Sequence, residues 1–150
     1  MKLASALSER TDIQNRISEL SARLNNNAKV QDGDKPAEDP IILMGELDRL
    51  FKRLEELMAR INLTNSRTVS DGRTITEILA QRDCLKKKIE ITRNFLNTAS
   101  SKVNRMTRTE IKIVSTVPVA EIQTELDGLS KQLRIIDEKI QELNWTTELI

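Results

Sequence analysis

PVAEIQTELDGLSKQLRIIDEKIQEL, residues 118–143, decides the fold. Within it Val119, Ile122, Leu126, Leu129, Leu133, Ile136, Ile140 and Leu143 follow one another at alternating spacings of three and four, which lays one apolar seam along a helix. Pro118 fits the first turn of that helix, where its missing N–H costs nothing. Working outward, the same rhythm recurs three times. Leu43, Leu47, Leu50, Leu54, Leu57 and Ile61 keep it over residues 40–64, with Phe51 and Met58 widening the stripe. Leu3, Ala6, Ile13, Ile17, Leu20 and Leu24 keep it over residues 2–26, with Arg10 in the seam. Residues 75–101 carry Ile78, Leu85, Ile89, Leu96 and Ala99, a seam interrupted by Arg82 and Thr92.

The connections carry their own signals. Asn25-Asn26-Asn27 ends the first helix, because Asn competes for backbone hydrogen bonds and tolerates left-handed conformations. A loop with Gly33 and Pro36 follows over 31–39, and Asp39-Pro40 reads as an N-cap before a proline at the first helical position. Asp71-Gly72 is a turn signal, with a short strand before it, and Thr74-Ile75-Thr76-Glu77 has the form of a capping box. Glu110-Ile111-Lys112-Ile113, followed by Val114 and Val117, alternates as a half-buried strand does. The fold class expected is therefore mainly α. Four long helices form antiparallel helical hairpins, a bundle or a coiled coil, with one or two short β-strands in the connections and a single helical domain over 1–150. The seams close on one another in a monomeric bundle, or two close within the chain and leave the others for partner chains.

Composition narrows the function classes. The chain is 38% hydrophobic, 31% charged and only 2% aromatic, which fits helical bundles and coiled coils rather than sandwiches or barrels. A net charge of +1 gives no global field to gather nucleic acid or anionic lipid. With no His and a single Cys, there is no disulfide within the chain, no multi-thiolate zinc site, and no base to activate Cys84 as a nucleophile. Cys84 is expected to be a structural or incidental thiol. The first ten residues lack the unbroken apolar run of an export signal, and no stretch is apolar enough to span a bilayer, so a cytoplasmic location is expected. Asp32-Gly33-Asp34 has the start of a calcium loop, but the position where such a loop needs Glu is Leu43, so no metal site is expected. No catalytic residue, cofactor or small-molecule partner is expected either.

Two clusters bear on binding. Residues 82–112 hold nine basic residues (Arg82, Lys86, Lys87, Lys88, Arg93, Lys102, Arg105, Arg108, Lys112) against Asp83, Glu90 and Glu110. Phosphate contact is one use of such a cluster. With no recognition motif beside it, a solvated face, or one that meets the acidic stretch 32–57, is the expected use. Arg10 and Arg82 occupy seam positions. The expectation is that their heads reach solvent at the seam's edge, with an inward network to Asp83, Asp137 and Glu110 as the alternative. Trp145 is expected to plug a packing gap with its indole N–H bonded nearby.

The polar signatures Asn27-Ala28-Lys29-Val30-Gln31-Asp32-Gly33, Glu38-Asp39-Pro40, Ile61-Asn62-Leu63-Thr64-Asn65, Asp71-Gly72-Arg73-Thr74, Arg82-Asp83, Glu110-Ile111-Lys112 and Asn144-Trp145-Thr146-Thr147-Glu148-Leu149 together resemble the bacterial septicolysin family. The resemblance spans nearly the whole chain and departs at Met106, where that family favours an aromatic. It implies a shared helical fold and self-association, with Arg10, Asn27, Asn62, Arg82, Asp137 and Asn144 belonging to one architecture. The cytolysin in the family's name implies membrane attack. Without an export signal or a Trp-rich docking segment, that activity ranks behind a non-enzymatic, homo-oligomeric scaffold and behind nucleic-acid association.

Overall fold

A computed structural model of the protein describes residues 1–101 and 111–150. All four expected helices form: α1 (Leu3–Asn26), α2 (Pro40–Arg67), α3 (Ile75–Ser100) and α4 (Val119–Thr146). Between α2 and α3 lies a two-stranded antiparallel ribbon of β1 (Val69–Ser70) and β2 (Arg73–Thr74), pairing Val69 with Thr74 and Ser70 with Arg73. Asp71 (φ 50°) and Gly72 (φ 77°) both take positive φ, the geometry of a type I′ turn, which is why Asp-Gly stands there. The chain divides into two compact units, Met1–Ile75 with Glu142–Ile150, and Thr76–Gln141.

In the first unit α1 and α2 form an antiparallel hairpin whose register is marked by three ion pairs. Glu9 meets Arg53, Arg16 meets Glu46, and Arg23 meets Glu38. The α1 members recur every seven residues, which brings the same edge of the helix back after two turns. Buried Ala6, Ile13 and Leu20 on α1 and Leu43, Leu50 and Leu57 on α2 recur with that period too, so an apolar layer accompanies each ion pair. Asp39 caps α2 as expected, its Oδ1 accepting from the N–H of Ile41 at 2.9 Å with Pro40 next in line. Asn27 ends α1 at φ −108°. It does so by side-chain bonding: its Nδ2 donates to the Arg23 carbonyl at 2.8 Å and its Oδ1 accepts from the N–H of Glu38 at 3.0 Å.

In the second unit Ile89, Leu96 and Leu126 form a buried cluster, with Leu85, Val119, Ile122, Leu129 and Leu133 packed against it and only partly covered, and Ile78 and Ile140 are buried as well. The strand expected at 110–114 does not form at its described residues. Residues 111–115 are irregular, and Ile111 and Val114 are 85% and 65% exposed. An alternating pattern makes a strand only where another edge accepts its hydrogen bonds. Glu110 lies outside the described residues.

Candidate interaction surface

The surface is built on the first unit, whose ends are tied together. Leu3 N–H donates to the Thr147 carbonyl at 2.9 Å, and Leu149 N–H donates to the Met1 carbonyl at 2.8 Å. Leu149 is buried, and Lys2 Nζ lies 2.7 Å from Glu148 Oε1. Thr64, fully buried on α2, donates its hydroxyl to the Arg60 carbonyl at 2.8 Å and accepts from Ile150 N–H at 3.0 Å. Arg60 in turn donates Nε to the Ile150 carbonyl. Hydrogen bonding to Arg53 holds the Glu9 carboxyl below its ordinary value, and bonding to Arg23 does the same for Glu38. Lys2 and the terminal amine likewise lower Glu148.

These pairs are not the polar residues the sequence singled out. Of those, Asn27 is buried and fully used in the α1 terminus. Arg10 is half-buried, and its Nε is shielded and without a partner among the described residues. Arg82 donates to Asp83, its immediate neighbour, at 2.9 Å on the surface, so this pair spans no seam. Asn62 is exposed, Asp137 and Asn144 are half-buried, and Glu110 lies outside the described residues. Trp145 is not a packing plug: 66% of it is exposed, and the ring lines a shallow hollow with Ala4, Ser5, Ser8, Glu9 and Asp12. It falls at the end of α4, two residues past the last seam position, where the buried positions are Leu143 and then Leu149. The basic stretch is only partly described. Arg82, Lys86, Lys87, Lys88 and Arg93 lie on α3, Lys87 pairs with Glu90, and Lys102, Arg105 and Arg108 lie outside the described residues. Cys84 is exposed.

Part of the exposed surface is apolar and regularly spaced. On α2, Met44, Phe51 and Met58 are 46%, 49% and 45% exposed and stand seven residues apart. Leu47 and Leu54, half-buried, join them to the buried stripe, so the apolar face of α2 is wider than α1 covers. On α3, Ile91 and Phe95 are 59% and 46% exposed, on a different side of the helix from buried Ile89 and Leu96. The sequence reading took Phe51 and Met58 as extra width for the buried seam. They are instead its uncovered margin.

Comparison with known proteins adds identity without function. The chain is similar to a functionally unknown conserved protein from Corynebacterium diphtheriae, whose crystal structure matches it with a TM-score of 0.93 at 43% sequence identity, covering 100% of this chain and 99% of that one. No curated protein matches the sequence. A family model described as a family of unknown function, DUF6847, matches residues 10–149, and the chain belongs to that family.

Proposed function

We propose that this protein is a non-enzymatic, cytoplasmic interaction protein that works as a homo-oligomeric helical scaffold. The observation that carries the reading is the heptad-spaced exposed row Met44, Phe51 and Met58 on α2 of the first unit; Ile91 and Phe95 on α3 are a separate exposed pair on the second. Single exposed hydrophobes are ordinary on a protein surface, but a heptad-spaced row of them is the pattern of a helix face that packs on another helix. The family resemblance to septicolysins supports self-association and adds no chemistry to it.

Nucleic-acid association through the basic stretch is the weaker reading, because no recognition motif accompanies its basic residues and a net charge of +1 gives no global field. Membrane attack has less support still, and no described helix is long and apolar enough to cross a membrane.

The test is the solution mass by size exclusion with multi-angle light scattering, at low and high salt. A multiple of the 17.1 kDa chain mass is expected at micromolar concentration. A mass of one chain at both salts sinks the scaffold reading.

A further inference from the structure

The two exposed stripes differ in the charge they carry. On α2 the row runs Met44, Asp48, Phe51, Glu55, Met58 at spacings of four and three, so two carboxylates alternate with three apolar side chains on one face. Asp48 and Glu55 are exposed and have no ion-pair partner among the described residues. On α3 the row runs Cys84, Lys88, Ile91, Phe95 at spacings of four, three and four, with Lys87 beside it. All of these side chains are exposed. Within the rows the charges are two carboxylates on α2 and one ammonium on α3; Lys52 borders the first row, and Lys87, which meets Glu90 at 3.0 Å, borders the second.

The rows also match in length. Met44 to Met58 spans about 21 Å and Cys84 to Phe95 about 17 Å at 1.5 Å per residue. A like-with-like pairing of α2 on a second α2 sets Asp48 and Glu55 of one chain against those of the other. Pairing α3 on a second α3 does the same with the lysines. Such juxtapositions are repulsive, and they disfavour these pairings relative to one between opposite stripes.

We propose that the acidic-flanked stripe of α2 seats the basic-flanked stripe of α3 from a second copy of this chain, Phe51 packing with Ile91 and Phe95 while Asp48 and Glu55 face Lys87 and Lys88. The pairing rests on the scaffold reading above and specifies its contact surface. Each copy offers one stripe of each kind, so the contact joins unlike patches.

A charge swap tests it. The full-length double variants Asp48→Lys/Glu55→Lys and Lys87→Glu/Lys88→Glu alter exposed positions, and their helicity by circular dichroism is expected to equal the wild type's. Each alone is expected to associate about tenfold more weakly or worse, because both contacts it makes with itself turn repulsive. Mixed one to one, they are expected to recover the wild-type mass, since every contact in the mixed assembly again joins opposite charges. If either variant keeps the wild-type association by itself, or if the mixture stays dissociated, the α2–α3 pairing is overturned and the scaffold reading survives it. A wild-type chain that is monomeric at the outset removes both.

Discussion

Arg53 grips both oxygens of Glu9 across the first hairpin, Nε to Oε1 at 2.7 Å and Nη2 to Oε2 at 3.0 Å, while its Nη1 reaches Glu56 at 2.9 Å. A planar guanidinium holding two carboxylates fixes the sliding register of α1 on α2 more sharply than a lysine would. Both partners of the fork are about one third exposed, so solvent screening keeps its worth to about 0.5–1 kcal/mol.

The pH dependence follows from the sign of the shift at Glu9. The Arg53 hydrogen bond lowers its carboxyl in the folded chain from 4.5, so the unfolded chain takes up the proton first as the solution is acidified. The stabilisation is fully present above pH 4.5 and is lost as pH falls through the lower folded value. Glu38 and Glu148 titrate in the same direction, held down by Arg23 and by Lys2. Urea midpoints at pH 7 and pH 3 should therefore converge in Glu9→Gln relative to the wild type. An unchanged gap between the two pH values would count against this account of the pair.

Thr64 is the buried polar hinge between α2 and the last residue. Replacing it by Val keeps the volume and removes the hydroxyl that accepts from Ile150 N–H. A loss of about 1 kcal/mol is expected, the net worth of one hydrogen bond, with Thr64→Ser retaining most of it. Equilibrium denaturation of the two variants side by side checks the difference.

Gly72 sits at φ 77° in the hairpin turn, a region that a Cβ disfavours by roughly 1–2 kcal/mol. A Cβ built there meets nothing within 4 Å, so the backbone alone sets the cost of Gly72→Ala. A Gly72→Ala protein that melts at the wild-type temperature would show that the ribbon tolerates another turn type.

That turn was readable because its chemistry is local: Asp-Gly asks for positive φ whatever surrounds it, and the Asp39 cap is local in the same way. The four helices were readable because a period of three and four survives any packing partner, though α2 and α4 each run three residues past their expected ends. The pairs that fix the hairpin register were not readable. Glu9 and Arg53 lie 44 residues apart, and nothing in either helix states which of the other's residues will stand opposite. The strand expected near Ile111 failed for a related reason, since alternation describes a face but not the neighbour that must pair with it. Trp145 misled by type: large aromatics are usually well buried, yet this one falls just past the seam that would have buried it.

Leu57 and Met58 are adjacent on α2 and face different surroundings, the first fully buried and the second 45% exposed. Leu57→Ala removes about three methylene-sized groups from a packed layer and should destabilise the chain by about 2–5 kcal/mol at any protein concentration. Met58→Ala changes the uncovered margin, and for an isolated chain its effect should stay within about 0.5 kcal/mol. In an assembly the margin is covered, so the same substitution should lower the melting temperature by an amount that grows with the wild type's own concentration dependence. Thermal melts of both variants across a hundredfold range of concentration separate the two effects. A Met58→Ala protein whose melting temperature tracks the wild type's at every concentration would place Met58 outside the proposed self-association surface.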